Sequence, residues 1–316
     1  MIIVFGSINV DLVFNVRKLP TIGETVLCPG YFKAAGGKGL NQAVAAARGR
    51  PDAQLPVYMV GSTGNDKFGD IALNELKTAG VKIAHVVRGP DPTACAAVAV
   101  DENGENQIIV GSGANTTLSA ENLPDSLLTK DTVLVLQMEV PVESNCKVIR
   151  RAKKKGARVI LNLAPAAPFP EELISSLDLL IVNEIEASMM ANHNNLDTTS
   201  SRAAAKAIAT EYSITTIVSL GAEGASAFDS NNEWQIGALP ITPIDTVGAG
   251  DSFVGNLATG MALDKPLPEM LHRASVGAGL SCLTEGAAPS MPNSATIEKQ
   301  MGDLLPARKI SGSQGG

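Results

Sequence analysis

The chain has few aromatic residues, few cysteines and few histidines. Aromatic residues make up 3% of its 316 residues, so the core must be built mainly from Ala, Val, Ile and Leu. Its cysteines, Cys28, Cys95, Cys146 and Cys282, lie far apart and form no CxxC pair. This spacing argues against a disulfide framework or a zinc site and favours a reducing compartment, so we expect a cytoplasmic protein.

Positive charge and long apolar runs are also in short supply. The formal net charge is −7, and the one basic run, around Arg150, lies at the end of a helical pattern and complements the helix dipole there. We therefore expect no nucleic-acid partner. Residues Ile2–Gly6 predict a buried strand rather than a signal peptide, and no run is long enough to cross a membrane.

Segments typical of strands and helices alternate through most of the sequence. This rhythm predicts an α/β fold with a mostly parallel central sheet covered on both faces, and ligands at the carboxyl ends of the strands. The predicted strands are Ile2–Gly6, Val57–Val60, Thr132–Met138, Arg158–Leu163, Leu179–Asn183 and Thr215–Leu220, and the helices include Lys38–Arg48, Lys67–Ala79, Val142–Lys155 and Ser201–Tyr212.

Two stretches, residues 11–35 and 93–112, interrupt the rhythm. The second contains two apolar runs around a polar Asp-Glu-Asn-Gly turn, which predicts a β-hairpin. We expect both stretches to join in a small discontinuous lid beside one domain that covers residues 1–308, with a flexible tail over 309–316. The predicted lid strands are Val13–Val16, Thr25–Cys28, Ala96–Val100 and Gln107–Val110.

The strongest chemical signal is the string Asp245–Phe253, which opens a helical pattern. Gly248, Ala249 and Gly250 allow a tight turn, and the N–H groups of such a turn form an anion site with the helix N-terminus. Asp251 follows in the first helical turn. There it is either a helix-stabilising charge or a carboxylate that accepts a hydroxyl proton beside a transferring phosphoryl group.

This string resembles the second signature of the ribokinase (PfkB) family of carbohydrate kinases. Gly36–Ala43 resembles the first signature, and the similarity continues to about Pro292. The resemblance implies a three-layer α/β/α fold and ATP-dependent transfer of phosphate to the O5 hydroxyl of D-ribose. Further segments that carry it are Gly6–Asp11, Gly23–Thr25, Gly113–Asn115, Gln137–Glu139, Asn183–Glu186 and Glu285–Ser290.

Polar residues at strand ends predict the sugar side of the site. Asn9 and Asp11 follow the first strand, where they either form an Asx turn or bind a polyol. Lys38 does not belong to a P-loop, because that spacing would need glycine at Phe32 and Ser or Thr at Gly39. The resemblance implies sugar contacts from Asn9, Asp11, Gly36, Gly37, Lys38, Asn41, Ala96 and Glu139.

Asn183 and Glu186 lie one helical turn apart after another strand. The pair predicts a capping box, a water-rich Mg²⁺ site, or both. The resemblance implies ATP contacts from Asn183, Ser219, Gly221, Gly224, Gly250 and Ser275. It also implies a K⁺ site formed by Asp245, Val247, Ser281, Thr284, Gly286 and Ser290.

Three alternatives remain open. The first is another kinase of the same family, acting on deoxyribose, fructose or a nucleoside. The second is a non-catalytic sugar-binding protein, which would have no need of Asp251. The third is a Rossmann oxidoreductase, but this sequence lacks the GxGxxG that should follow the first strand of such an enzyme.

The resemblance also implies a homodimer in which two lids pack together.

Overall fold

The computed structural model describes residues 1–196 and 198–310. Its strands are Ile2–Phe5 (β1), Asn9–Asn15 (β2), Tyr31–Gly36 (β3), Val57–Gly64 (β4), Lys82–Gly89 (β5), Ala94–Val100 (β6), Asn106–Gly111 (β7), Val133–Leu136 (β8), Arg158–Asn162 (β9), Leu179–Asn183 (β10), Thr215–Ser219 (β11), Ala225–Phe228 (β12), Glu233–Ile236 (β13) and Arg308–Ile310 (β14). Its α-helices are Lys38–Gly49 (α1), Lys67–Thr78 (α2), Val142–Lys154 (α3), Glu171–Ile174 (α4), Glu184–His193 (α5), Ser201–Tyr212 (α6), Ala249–Ala262 (α7), Leu267–Ser281 (α8) and Ser294–Gln300 (α9).

The main sheet has ten strands in the order β14-β13-β12-β11-β10-β9-β8-β1-β4-β5. From β11 to β5 every neighbouring pair is parallel. Strands β12, β13 and β14 are added antiparallel at the other side. Because the parallel strands share one direction, their carboxyl ends open on one edge, where the crevice for a ligand is expected.

Helices cover both faces of this sheet and make three layers. In β1, Ile2 and Val4 pack into a core with α1, α2, α7 and α8. The alternate residues, Ile3 and Phe5, pack into a second core with α3, α5 and α6. All four residues are 0% exposed, as expected for a strand buried on both faces. The predicted three-layer fold is confirmed.

A separate four-stranded sheet has the order β3-β2-β6-β7. The predicted hairpin of residues 93–112 is confirmed, since β6 and β7 pair antiparallel. The predicted strand Thr25–Cys28 is wrong: β3, Tyr31–Gly36, pairs with β2 instead. Leu27 is 91% exposed, and Pro29 and Gly30 turn the chain, so residues 25–28 have no face to bury. The sheet also starts earlier than expected, at Asn9.

The two faces of this small sheet follow from its register. Successive side chains of a strand point to opposite faces of the sheet, so Asp11 and every second residue of β2 share one face. The residues that pair with them on the neighbouring strands lie on the same face. We call this side, which carries Asp11, the inner face; it includes Asp11, Val13, Phe32, Ala34, Ala96, Val98, Ile108 and Val110. The outer face carries Leu12, Phe14, Tyr31, Lys33, Ala97, Ala99 and Ile109.

The first two residues of the predicted flexible tail, Lys309 and Ile310, are part of a strand. Arg308–Ile310 pairs with β13 as an edge strand, so Lys309 and Ile310 belong to the main sheet. Residues 311–316 of the predicted tail lie outside the described residues. Across the described part of the chain, no helix combines the length and the apolar character that a membrane span requires.

The contact between α1 and α7 generates a first prediction. A Cβ at Gly255 would lie 2.5 Å from Ala45 Cβ and 2.7 Å from the Gln42 carbonyl oxygen. Gly255→Ala should therefore lower the free energy of unfolding by about 1–3 kcal/mol, because overpacking outweighs the gain of up to ~1 kcal/mol from better helix propensity. Urea unfolding of this variant measures the change. Gly302→Ala is the control, since a Cβ there meets no atom within 4 Å; a Gly255→Ala protein as stable as the parent would contradict the steric argument.

Candidate active site

A cleft lies at the carboxyl edge of the parallel strands. Asn162, Asn183 and Ser219 reach it from the ends of β9, β10 and β11, so neighbouring strands deliver the polar groups. The first turns of α1 and α7 form the opposite wall. The cleft is lined by Lys38, Asn162, Ala164, Ile181, Val182, Asn183, Glu186, Ser219, Gly248, Gly250, Asp251, Phe253 and Val254.

The N-terminus of α7 provides an anion site. Gly248 precedes the helix with φ +79°, and a Cβ there would lie 2.8 Å from Ala287 Cβ. Both facts require glycine. The Ser252 N–H donates to the Gly248 carbonyl at 2.8 Å, so Gly250 and Asp251 precede the first i to i−4 bond. Their N–H groups have no carbonyl within the helix to donate to and are available to an anion.

Asp251 is the buried carboxylate at this helix end and is 8% exposed. Asn41 Nδ2 donates to its Oδ2, and Gln42 Nε2 donates to its Oδ1, both at 2.9 Å. Burial raises the pKa of Asp251, while the charge of Lys38 and these two hydrogen bonds oppose that rise. The site thus holds a carboxylate that is compensated on both oxygens, beside an anion site.

Lys38 supplies the positive charge of the cleft. Burial alone lowers its pKa, but the carboxylates of Asp251, Glu139 and Glu186 outweigh burial and raise the pKa above its ordinary value. The ammonium group is therefore protonated at neutral pH. A fixed cation beside a helix N-terminus suits a ligand with several negative charges.

Glu139 accepts hydrogen bonds from two groups of the protein. Its Oε2 accepts from Ser7 Oγ at 2.5 Å and from the Lys38 N–H at 3.0 Å. Ser7 Oγ in turn accepts from the Gly39 N–H at 3.1 Å. Glu139 and Ser7 thus bind the first N–H groups of α1 and fix this helix against the ends of β1 and β8.

The residues predicted for the sugar come together under the small sheet. Asn115 Nδ2 donates to Asn9 Oδ1 at 2.7 Å, so Asn9 keeps its own amide N–H groups for another partner. Gly37 has φ +90°, and a Cβ at Gly36 would lie 2.3 Å from Asp11 Oδ2. Ala96 pairs with Asp11 in the register of β2 and β6. These contacts leave backbone and carboxylate facing the same space, as a polyol site requires.

Asp11 carries the most informative pKa in this group. Burial, followed by the charges of Glu139 and Asp251, raises it to about 6. The carboxylates repel one another across the site, and hydroxyl donors from a ligand would relieve that repulsion. Asp11 thus lies within range of the charges of both other carboxylates.

Asn183 and Glu186 form the predicted capping box. Asn183 Oδ1 accepts from the Glu186 N–H, and Glu186 Oε2 accepts from the Asn183 N–H, both at 2.8 Å. Glu186 is only 6% exposed, yet it lines the cleft. Burial raises its pKa, against the effects of the Asn183 N–H and of Lys38. The capping interpretation is confirmed, and the metal interpretation stays a prediction.

The residues predicted for the nucleotide are only partly brought together. Ser219 lines the cleft, and Gly221 and Gly224 bend the next turn with φ +55° and +91°. Ser275 is different: it is 5% exposed, and its hydroxyl is buried without a hydrogen-bond partner among the described residues. Ser275 is not among the residues that line the cleft, and its predicted nucleotide contact stays a prediction.

Asp245 joins the two loops that were predicted to hold K⁺. Its Oδ1 accepts from the Val247 N–H at 2.9 Å, and its Oδ2 accepts from the Gly286 N–H at 2.8 Å. The hydroxyls of Ser281 and Ser290 donate to nearby backbone carbonyls. Thr284 lies in the same loop as Gly286. The Asp245, Ser281 and Ser290 side chains thus hold backbone groups in place, and the K⁺ site stays a prediction.

Several buried polar residues of the site were not predicted. They are Ser7, Gln42, Asn115, Gln137 and Asn162. All but Asn162 lie inside the segments that carry the family resemblance, so their sequence context was a signal for them. Asn162 ends a buried strand, and a polar residue at that point of an otherwise apolar run was its only signal.

Comparisons with known proteins agree with this geometry. The family model described as pfkB family carbohydrate kinase matches residues 1–294. A ribokinase of Schizosaccharomyces pombe is 33% identical over 301 residues, which cover 92% of this chain and 95% of that protein. The crystal structure of a ribokinase from Thermotoga maritima has a TM-score of 0.87 at 29% identity, covering 94% of this chain and 98% of that one. The structure of Arabidopsis thaliana ribokinase complexed with ribose and ATP has a TM-score of 0.84 at 32% identity, covering 95% and 98%.

The raised pKa of Asp11 predicts a stability that depends on pH. The folded state binds the Asp11 proton more tightly than the unfolded chain, whose value is 3.8, so the stabilisation is complete below that value and is lost as the pH rises through about 6. Asp11→Asn should therefore raise the free energy of unfolding at pH 7.5 by about 3 kcal/mol, with no gain near pH 3.5.

Chemical unfolding across this pH range measures the difference. Asp303→Asn, at an exposed position far from the site, is the control and should parallel the parent at every pH. An Asp11→Asn protein that gains nothing at pH 7.5 would show that Asp11 is not held in a repulsive environment.

Proposed function

The chain belongs to the pfkB family of carbohydrate kinases, and from this membership we propose that it transfers the γ-phosphate of ATP to the O5 hydroxyl of D-ribose. The observation that carries the proposal is Asp251, a buried carboxylate in the first turn of α7 that lines the cleft beside free N–H groups. A protein that only binds sugar has no need of this buried charge, which is costly to keep in a fold.

The arrangement divides the chemistry between two groups. Asp251 accepts the proton of the attacking hydroxyl, and its two amide donors favour the ionised form that this step requires. The N–H groups of Gly250 and Asp251, together with Gly248 and Ala249 in the preceding turn, stabilise the charge of the transferring phosphoryl group. Lys38 adds a fixed positive charge on the opposite wall of the cleft.

The sugar binds under the inner face of the small sheet. Asp11 and Asn9 accept from and donate to its hydroxyls, Gly36 and Gly37 let it approach the backbone, and Glu139 and Asn41 complete the polar side. Ala96 lies beside Asp11 on the inner face. The support for ribose is the similarity to ribokinases, one of which is described in complex with ribose and ATP.

ATP lies along the other half of the cleft. Asn183 and Ser219 line that half, and the turn with Gly221 and Gly224 lies directly after β11. Asp251 stands between the two ends, with its carboxylate toward the sugar and its helix N-terminus toward the phosphates. All four cysteines are free thiols, which agrees with an enzyme that works in the cytoplasm.

Mg²⁺ fits the residues at the end of β10. Glu186 Oε2 accepts the Asn183 N–H in the capping box. The same side chain lines the cleft, so its other carboxylate oxygen would be the one to meet an ion there. Oxygen donors of this kind are those that Mg²⁺ prefers, with most of its sites left to water and phosphate. Glu186 and Asn183 would hold the ion, partly through water, and the ion would neutralise charge on the phosphates.

A monovalent cation, K⁺, fits the two loops joined by Asp245. Asp245 accepts hydrogen bonds from backbone N–H groups of both loops, which ties the two loops together. Rings of carbonyl oxygens are suited to replace the hydration shell of K⁺. Val247, Ser281, Thr284, Gly286 and Ser290 would contribute with Asp245, and the ion would fix the turn before α7.

An ADP-release assay tests the activity and the choice of sugar. Turnover is measured with ribose, deoxyribose, fructose and a nucleoside as acceptors, with ribose expected to give the highest kcat/KM. Asp251→Asn should lower kcat by ~10²–10⁴ while ATP binding is retained, because it removes a positioned base.

Asp264→Asn is the matched control, an exposed aspartate directly after the same helix. It should keep full turnover. If another acceptor gave a higher kcat/KM, that acceptor would take the place of ribose in the proposal. An Asp251→Asn protein with normal turnover would show that Asp251 is not the catalytic base.

The outer face of the small sheet supports a homodimer. Tyr31 and Ile109 are 55% and 77% exposed on this face, and the rings of Phe14 and Tyr31 lie 5.4 Å apart. A small four-stranded sheet with exposed apolar side chains is poorly stable alone, and packing the outer faces of two copies together would remove Tyr31 and Ile109 from solvent.

Light scattering at micromolar concentration should give twice the chain mass. Ile109→Asp should shift the protein toward the monomer, since it places a charge within the apolar contact. Leu305→Asp, which changes an 84% exposed residue outside the small sheet, is the control and should leave the mass unchanged. A monomeric parent with full activity on ribose would show that the sheet needs no partner.

A further inference from the structure

A chain of buried amides leads away from the Asp251 carboxylate. Gln42 is 0% exposed, and its Nε2 donates both to Asp251 Oδ1 at 2.9 Å and to Asn162 Oδ1 at 3.0 Å. Its Oε1 accepts from Gln137 Nε2 at 2.7 Å. Asn162 Nδ2 donates onward to the Ile181 carbonyl at 3.4 Å. Both ends of the Gln42 amide are thus specified by neighbours on β9 and directly after β8.

These contacts give the amide one direction. A carboxamide reversed by 180° would place Gln42 Oε1 against Asp251 Oδ1 and Asn162 Oδ1, where acceptor meets acceptor. The reversed Nε2 would meet the Gln137 Nε2 donor. The Ile181 carbonyl can only accept, so it orients Asn162, and Asn162 Oδ1 is then an acceptor that orients Gln42. Gln137 donates to Gln42 Oε1, while its own Oε1 is buried without a partner among the described residues. The direction of the Gln42 amide thus has a support besides Asp251 itself.

Other charged groups face Asp251 from the surrounding elements. Lys38 of α1 favours its ionised form, while Glu139 after β8 opposes it. Asp11 of β2 adds a further negative charge, and Glu186 of α5 acts on Lys38. Hydrogen bonds to the ionised form are therefore needed to keep this carboxylate charged among like charges.

We propose that Gln42 is a positioning residue for the catalytic base, and that Gln137 and Asn162 hold its N–H group toward Asp251 Oδ1. The proposal rests on the proposed function for the name of the reaction, but its structural content concerns the ionisation of one carboxylate. The alternative is that Gln42 only fills the core between α1 and the sheet. The two differ in what happens to Asp251 when the donor is removed.

The test follows the titration of Asp251 directly. In protein labelled with ¹³C-aspartate, the carboxyl signal that disappears in Asp251→Asn is assigned to Asp251 and followed against pH. Gln42→Met, of similar volume, should raise the midpoint by about one pH unit, because it removes one donor to the ionised form. Gln137→Met should raise the Asp251 midpoint by less, because it removes the hydrogen bond to Gln42 Oε1 but leaves the Gln42 Nε2 donor in place.

The pH profile of kcat supplies a second readout, in which the acidic limb should move upward by the same amount. Thr259→Val is the matched control: this buried residue of α7 also loses a contact to α1, from Oγ1 to the Ala46 carbonyl at 3.3 Å, but lies away from Asp251. Its midpoint and its acidic limb should stay at the parent values.

The outcomes separate the two proposals. An unchanged midpoint in Gln42→Met overturns the positioning role, whatever happens to turnover. A raised midpoint in a protein without kinase turnover supports the positioning role and counts against the proposed function. If Gln42→Met does not fold, Gln137→Met decides, and an unchanged midpoint there overturns the proposal.

Discussion

The compensation of one buried carboxylate organises the centre of this molecule. Removing an ion such as Asp251 from water costs several kcal/mol unless its oxygens find donors. Here the donors come from α1, through Asn41 and Gln42, so α1 and α7 must lie side by side. Gly255 makes that approach possible, because any Cβ there would meet Ala45. The helix crossing, the glycine and the two amides are thus one solution to one electrostatic requirement.

The same requirement links stability to activity. Asp11, Glu139 and Asp251 face one space, and burial together with their mutual repulsion raises the pKa of Asp11 to about 6. Lys38 compensates only part of this charge. A polyol that donates hydroxyl groups to these carboxylates would relieve the repulsion. A site of this kind is more stable when it is occupied or neutralised.

The sequence predicted the main sheet well because its strands are apolar at nearly every position, a local signal of burial on both faces. The predicted strand Thr25–Cys28 was wrong because the position of β3 is determined by its pairing with β2 and by its direct connection to α1. The pairing with a distant strand is not visible in the local sequence. Asp251 was found from its glycine turn. The contact of Gln42 with Asp251 was not predicted, because a glutamine in a helix usually faces water and only the packing of α1 on α7 buries this one.

Much of the site also holds the fold together. Glu139 binds the first N–H groups of α1, and Asn183 with Glu186 caps α5. Each therefore satisfies backbone groups that would otherwise be unpaired at a helix end, a contribution of about 1 kcal/mol per cap. Replacing such a residue by alanine changes helix stability and ligand contacts together, so loss of activity alone does not identify a ligand. Asp251 and Gln42 are better probes, because their side chains bind one another rather than the backbone, and a substitution of equal size changes the charge or the donor while the helix ends stay intact.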